Sequence, residues 1–327
     1  MRPLFLTLLL LFTLAVNAAA TTRPAIIFAE EVVAIDADGN RLPSVTIEPQ
    51  AMAGMQSYDF DLGRERLLRV ETNIHDAQQR GLNDLVAAIR RCYSYIEAAT
   101  GRSLERGMLL YLIELDEIPY AYSFQASYDS ALQWGEVRLA MIGRDAPLSG
   151  EQAPAALSDL LYDTLPHELG HDVLTGIPQL SHDIDGRESQ HTRWFIEGVC
   201  EILAKGFSQR EVPALHRRFL ALRSLDTVLA DPRMQLAMLN WAQNNQNGLV
   251  RESNLYGAAM LSMMIWTESV SLNDLLEELA SRKWPVRGSD LVVMLQNTAG
   301  LEPQELFARA QAHGRQLNSK AVLARLD

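Results

Sequence analysis

Residues 164–174, TLPHELGHDVL, restrict the fold of this chain more than any other segment, because two histidines lie four residues apart beside an apolar stripe. His167 and His171 fall on one side of a helix, one turn apart, so both imidazoles can reach a single ion. The pattern predicts a helix that buries one face and presents two metal ligands on the other. The apolar stripe on the opposite face consists of Leu161, Leu165, Leu169 and Val173.

Glu168 follows the first histidine and completes the pattern HExxH. It projects about 100° around the helix from His167, so it lies beside a shared ion rather than on it. From there its carboxylate can accept a proton from a water molecule activated at the site. The competing interpretation is an ordinary helix, since the pattern arises by chance in roughly one chain in a hundred of this length.

Pro166 complicates the start of this helix. Proline lacks a backbone N–H and therefore costs a helical hydrogen bond. We expect the helix either to kink at Pro166 or to begin one turn earlier, with Asp163 or Thr164 as its N-cap.

A zinc enzyme needs a third protein ligand and an open fourth position. A histidine six residues beyond His171 would indicate a metzincin, but Ile177 stands there. The segment 194–201, WFIEGVCE, fits best, because Glu197 and Glu201 share one helix face. One carboxylate could bind the metal while the other accepts the second N–H of a bound histidine. The other downstream candidates are His182, Asp183, Asp185, His191 and Cys200.

HELGH followed by WFIEGVCE resembles the gluzincin metallopeptidases, which include the thermolysins, the aminopeptidase N group and the smaller peptidase MA-like proteins. The resemblance implies a zincin-like catalytic domain with one Zn2+ per chain. It implies His167, His171 and Glu197 as the zinc ligands. It also implies Glu168 as the catalytic base, with Glu201 behind the ligands rather than on the metal.

The resemblance covers residues 76–314. The segment 93–115 is similar to the helix and strand that open such domains, and 296–310 to a segment near their ends. The segment 254–266, NLYGAAMLSMMIW, is similar to the helix that carries the aminopeptidase tyrosine. Its usual pattern is Y-x-x-G, whereas Gly257 follows Tyr256 directly. Tyr256 is therefore the candidate for stabilising the oxyanion, and a packed core tyrosine is the alternative.

The first residues have the order of a secretory signal peptide: Arg2, an apolar run over 4–16, and small residues over 18–20. The run is shorter than the roughly 20 residues needed to span a bilayer. We expect residues 1–20 to be removed and the mature chain to be exported, periplasmic or secreted, without stable membrane insertion. The alternative is an N-terminal membrane anchor.

The net charge of −12 and the absence of a basic run argue against nucleic-acid binding. The expected partner is a peptide or protein substrate. Two cysteines, Cys92 and Cys200, lie in apolar, helix-like surroundings, and either a disulfide or two buried thiols would fit.

The order of predicted elements indicates an α+β, zincin-like protein with a small strand-rich N-terminal part and a mostly helical C-terminal part. Residues 21–70 form the predicted β-rich segment, with strand patterns over 26–47, and residues 71–327 the catalytic domain. The strand-and-helix upper part of this domain extends to about residue 175. It contains a predicted helix over 76–99 and predicted strands over 108–115 and 134–142. Later helices are predicted over 193–204, 213–229, 233–243, 255–270, 272–280, 289–296 and 303–313.

The strand over 134–142 alternates two kinds of side chain. The period of two predicts one side that faces solvent, and such a strand could pair with an extended peptide at a sheet edge. One set is Val137, Leu139 and Met141, and the other is Glu136, Arg138 and Ala140.

Two functions follow from these motifs. The first is an exported zinc peptidase, and the alternative is an exported metal-binding or scaffold protein with a gluzincin fold and little proteolytic activity. No stretch resembles the G-x-M-E-N segment that holds the substrate amino terminus in the aminopeptidase N group, which favours an endopeptidase or a processing enzyme.

Overall fold

A five-stranded mixed sheet comes first in the described chain, and helices follow it. The computed structural model describes residues 54–115, 123–125, 134–150, 152–181, 192–221, 223, 232–239, 241, 250, 252–283 and 285–323. All of them belong to one unit, Glu48–Asp327. The predicted signal peptide and the strands predicted over 26–47 lie outside the described residues.

The sheet has the strand order β1-β2-β3-β5-β4. β3 pairs in parallel with β2 and β5, and β1 and β4 pair antiparallel at the two edges. The predicted strands over 108–115 and 134–142 are confirmed as β3 and β5. β1 and most of β2 lie in the segment 21–70 that was predicted to be β-rich, although neither was predicted as an individual strand. The strands are β1 Gln56–Asp61, β2 Leu67–Thr72, β3 Gly107–Leu115, β4 Ser123–Gln125 and β5 Trp134–Gly143.

The side of β5 that carries Glu136 and Arg138 does not face solvent, although charged side chains are the ones expected on a solvent-facing side. Glu136 and Arg138 are 7% and 0% exposed, and their face continues through Ala140 and Ile142 into the hydrophobic core. β5 is not an edge strand either, because residues 138–140 pair with β4. The strand lies between β3 and β4, and the low exposure of Glu136 and Arg138 shows that these charged side chains point inward.

Helix α1, Leu82–Thr100, packs its predicted apolar face into the core. It ends at Gly101, whose φ of 67° is a left-handed conformation and whose N–H bonds the carbonyl of Glu97. The predicted helix over 76–99 thus occurs, although residues 76–81 form turns before it. The buried residues of α1 include Leu82, Leu85, Val86, Ile89, Cys92, Tyr93 and Ile96.

The HELGH helix is preceded by a wider turn instead of a cap. Helix α2, Ala155–Asp159, continues through a π-helical turn, Leu160–Thr164, into α3, Leu165–Thr175. Thr164 has helical dihedral angles and no side-chain cap, so the predicted N-cap is wrong. Pro166 has no N–H to donate, and the longer-spaced π turn carries the helix through it.

The remaining helices follow the predicted order with shifted ends. Residues 224–231 and 242–249, which include the ends of two predicted helices, lie outside the described residues. Among the described helices, none combines the length and apolar character that crossing a bilayer requires. Their bounds are α4 Pro178–Ser181, α5 Arg193–Glu211, α6 Pro213–Ala221, α7 Pro232–Leu239, α8 Glu252–Trp266, α9 Leu272–Ala280, α10 Gly288–Ala299 and α11 Pro303–Leu323.

Two glycines allow α3, α5 and α8 to approach one another closely. A Cβ on Gly170 of α3 would lie 3.0 Å from the Sγ of Cys200 in α5. A Cβ on Gly198 of α5 would lie 2.7 Å from the carbonyl oxygen of Ala259 and 2.5 Å from Cγ of Met263, both in α8. These contacts bring the two sequence motifs and the helix of the candidate tyrosine into one layer.

The two cysteines, Cys92 and Cys200, are free and buried. Of the two alternatives that the sequence left open, the structure therefore has buried thiols.

Candidate metal centre

His167, His171 and Glu197 bring three potential ligand atoms together where α3 meets α5. The Nε2 atoms of His167 and His171 are 3.2 Å apart, and each lies 3.4 Å from Oε2 of Glu197. A tetrahedral zinc ion with ligand bonds of about 2.0–2.1 Å holds its nitrogen and oxygen ligands about 3.3 Å apart. The three atoms therefore lie at the mutual distances that such an ion requires.

Oε2 of Glu197 supplies a test of whether these residues fit a zinc ion. The atom is buried and has no hydrogen-bond partner among the described residues, while Oε1 accepts a hydrogen bond from Nε of Arg193 at 3.2 Å. Its 3.4 Å separation from each imidazole is too long for a good hydrogen bond. An unpaired buried carboxylate oxygen is unfavourable, and a cation between the three atoms would satisfy it. The donor set, two imidazoles and one carboxylate, is one that zinc binds.

The surroundings of the three groups favour their charged forms in the metal-free chain. Burial opposes ionisation of Glu197, but the neighbouring imidazoles of His167 and His171 hold its pKa well below the usual range. Burial opposes protonation of His167, yet interactions with Glu197 and Glu201 raise its pKa to about 9. Burial also opposes protonation of His171, but interactions with Cys200 and then with Glu197 outweigh it and raise its pKa. Zinc binding would therefore release protons from these imidazoles.

Glu201 lies behind His167, on the side of the ring away from Glu197. Its Oε1 is 3.2 Å from Nδ1 of His167, and it accepts a 2.6 Å hydrogen bond from Arg223. Its Oε2 is 3.2 Å from Nζ of Lys205. Burial opposes its ionisation, but Lys205 and Arg223 hold the pKa of Glu201 well below the usual range. An ionised carboxylate here favours a proton on Nδ1 and leaves Nε2 free for a metal.

The sequence interpretation missed the cations that hold Glu201. Lys205 is 1% exposed and also pairs with Asp163 of the π turn, which is 3.9 Å from Arg223. The spacing of four between Glu201 and Lys205 was a signal that could have suggested the pair. Arg223 offered none, because it lies beyond α6 and reaches the site only through the tertiary fold.

Replacing Glu201 with Gln is expected to weaken zinc binding about 10–100-fold, the effect typical of losing a carboxylate behind a metal-bound histidine. The amide would remove one of the two carboxylates, Glu201 and Asp163, that pair with Lys205 and Arg223, and it would no longer fix His167. Competition against chelators of graded affinity measures this change. The control is Glu97→Gln, which removes a carboxylate 2.7 Å from Arg66 and away from the site. Equal zinc affinity in Glu201→Gln and the wild type would contradict the assigned contact.

Glu168 lies toward the sheet and is not one of the three converging groups. Its Oε2 is 3.7 Å from a terminal nitrogen of Arg138, which is itself 2.5 Å from Oε2 of Glu136. Burial raises the pKa of Glu136 to about 7, against the opposing charge of Arg138. The Glu168 side chain is 19% exposed, so solvent reaches it.

Tyr256 of α8 packs against His167. The two ring centroids are 6.0 Å apart and the rings are inclined at 62°. The guanidinium of Arg223 lies 5.5 Å from the centre of the tyrosine ring, and Trp241 packs on it at 5.2 Å. The structure thus brings Tyr256 to the site, and its role toward an oxyanion stays a prediction.

Cys200 offers an alternative ligand. Its Sγ and one nitrogen each of His167 and His171 lie within 4.8 Å of one another, so these three could also hold a metal ion. Burial raises the pKa of the Cys200 thiol to about 11, whereas the thiolate is the form that binds metals. The remaining candidates, His182, Asp183, Asp185 and His191, lie outside the described residues.

The fold and site define a mixed α/β protein with a candidate metal centre. No family model and no curated protein matches the chain. Among solved structures it is similar to an aminopeptidase N family protein from Idiomarina loihiensis, with 12% sequence identity and a TM-score of 0.49. The match covers 78% of this chain and 46% of that one, so the chain spans a little under half of that structure's length.

Proposed function

We propose that this chain is an exported zinc-dependent peptidase of the gluzincin type, acting on peptide or protein substrates in the periplasm or outside the cell. One observation carries the proposal. Ligand atoms of His167, His171 and Glu197, from two separate motifs, lie 3.2–3.4 Å from one another beside Glu168. That arrangement supports a three-ligand zinc site with an adjacent base.

A zinc ion held by His167, His171 and Glu197 would keep about one net positive charge, and it would supply a Lewis acid for a substrate carbonyl and lower the pKa of water towards neutral. Glu168 accepts the proton of the attacking water and passes it to the leaving amine nitrogen. Tyr256 donates a hydrogen bond to the carbonyl oxygen as negative charge develops there. Glu201 holds His167 so that its Nε2 faces the ligand triangle.

A second candidate function is metal binding without proteolysis, in a scaffold protein. Cys200 favours it, because a fourth protein ligand within 4.8 Å of both imidazoles could close the site, as in structural zinc sites. Glu168 favours the peptidase instead, since a closed site has no use for a base beside it.

Zinc content and hydrolysis, measured on one preparation, test the proposal. We expect about one zinc per chain and cleavage of a mixed-sequence library of fluorogenic peptides, lost with a chelator and regained with one equivalent of zinc. Peptides with free and with blocked amino termini distinguish an exopeptidase from an endopeptidase.

Replacing Cys200 with Ala separates the two functions. In the peptidase the variant keeps both zinc and activity, because Glu197 is the third ligand. If the wild type binds zinc but cleaves no peptide, and Cys200→Ala binds zinc more weakly, the peptidase is rejected in favour of a closed, non-catalytic zinc site. A wild-type chain that takes up no zinc would contradict both functions.

A further inference from the structure

The inward face of β5 changes character along the strand. Ala140 and Ile142 lie in the hydrophobic core, whereas Arg138 and Glu136, earlier on the same face, are buried charges. The core therefore ends in a buried ion pair at the side of the candidate metal centre. Because buried charges are unfavourable unless fully paired, this pair calls for an explanation beyond packing.

Arg138 is incompletely paired. One terminal nitrogen forms ion pairs with Glu136 at 2.5 Å and with Glu168 at 3.7 Å, but all three guanidinium nitrogens are buried and none has a well-directed hydrogen bond to another described residue. Arg66, another buried arginine, differs in this respect. It bonds Glu97 and also several backbone carbonyl groups. An arginine that served packing alone would be expected to be satisfied in the same way.

The position of Arg138 explains the difference, because it stands between two carboxylates on different elements. Within the described part of the chain, it is the one cationic side chain within ion-pair distance of Glu168. Asp172, one turn later on α3, has Arg106 at 4.0 Å instead. Glu168 is thus tied to the sheet through Arg138.

We propose that Arg138 is a positioning residue for Glu168, and that Glu136 holds Arg138 in place for it. This inference rests on the proposed function, in which Glu168 accepts the proton. A carboxylate rotates easily about its last bond, and a cation beside one oxygen restricts that rotation. With Oε2 facing Arg138, the other oxygen keeps one orientation toward the reacting water. Separations longer than a hydrogen bond are common at catalytic groups before substrate binds.

Kinetics of three variants test the role. Arg138→Met is expected to lower kcat at least about tenfold, with KM within about twofold and zinc content unchanged, because the base is misplaced while substrate and metal still bind. Arg138→Lys keeps the charge and is expected to recover part of the loss. Arg66→Met, the matched control, should lower the melting temperature and leave kcat within about twofold of the wild type. Unchanged kcat in Arg138→Met would overturn the inference.

A second measurement does not depend on activity. Melting temperatures of the metal-free wild type, Arg138→Met, Glu168→Gln and the double variant form a cycle. We expect Arg138→Met to lower the melting temperature both in the wild type and in Glu168→Gln. The decrease should be at least about 2 °C smaller in Glu168→Gln, because there the substitution leaves one fewer carboxylate without a partner. The corresponding cycle with Glu136→Gln should also show coupling. If the melting-temperature changes of Arg138→Met and Glu168→Gln add within about 1 °C, Arg138 interacts with Glu136 and not with Glu168. That result would overturn the inference.

The two experiments distinguish the inference from the function on which it rests. Cleavage by the wild type with normal kcat in Arg138→Met rejects the positioning role and leaves the peptidase. Coupling between Arg138 and Glu168 without cleavage by the wild type rejects the peptidase and leaves the contact. If Arg138→Met does not fold, Arg138→Lys takes its place in both experiments, with a smaller expected kcat loss, and unchanged kcat there overturns the role.

Discussion

Replacing Glu168 with Gln is expected to lower kcat by about 10²–10⁴-fold while the protein keeps about one zinc per chain. The amide has nearly the same shape as the carboxylate but cannot accept a proton from water. Zinc binding should persist, because Glu168 is not one of the three groups that converge at 3.2–3.4 Å. Steady-state cleavage of a fluorogenic peptide, with elemental mass spectrometry on the same sample, measures both quantities.

A matched control for this variant is Glu114→Gln. Glu114 is a partly buried carboxylate in an ion pair with Arg80 at 2.5 Å, on β3 and outside the metal centre. The Glu114→Gln variant should have the same kcat as the wild type. Turnover at the wild-type rate in Glu168→Gln would rule out Glu168 as the base, and loss of zinc in that variant would make it a ligand instead.

The candidate ligands were predictable because each pair lies within one helix. A spacing of four puts His167 above His171 and Glu197 above Glu201 whatever the rest of the fold does. The distance between the two pairs was not predictable from spacing. It depends on how closely α3 and α5 approach, and Gly170 sets that approach by leaving room for Cys200.

Alternation in β5 correctly grouped Glu136 with Arg138 but did not show that this group lies on the buried side. A period of two shows which residues share a face and not which face is buried. Charged residues are assigned to water by default, because burying an unpaired charge is unfavourable. Here Glu136 and Arg138 pair with each other, and α3 brings Glu168 to them, so the inward face accepts the charge.

The network behind His167 was also beyond the reach of local patterns. Asp163 was expected to cap the helix, yet the π turn directs its carboxylate to Lys205. Arg223 joins the same group from beyond α6. These contacts depend on three segments that are distant in sequence, and no spacing rule links them. β1 escaped individual prediction because its residues alternate between partly buried and exposed, which weakens its hydrophobic signal.

Replacing Glu197 with Ala is expected to weaken zinc binding by more than the 10–100-fold expected for Glu201→Gln, because it removes a ligand rather than a residue that orients one. Two imidazoles alone would remain, and activity should fall with zinc occupancy. Dialysis against graded zinc concentrations followed by elemental analysis measures the loss. The control is Glu97→Ala, which deletes a carboxylate of a partly buried ion pair away from the site.

The same variant also decides which third ligand the chain uses. If Glu197 is the ligand, Cys200→Ala binds zinc as the wild type does, and Glu197→Ala does not. If Cys200 is the ligand, the order reverses, because Sγ of Cys200 lies within 4.8 Å of both imidazole nitrogens and can complete a site without Glu197. Retention of zinc in Glu197→Ala, with loss in the double variant, would show that either residue can serve. The His-His-Glu assignment would then fail, and with it the reason for expecting an open position where a substrate could bind.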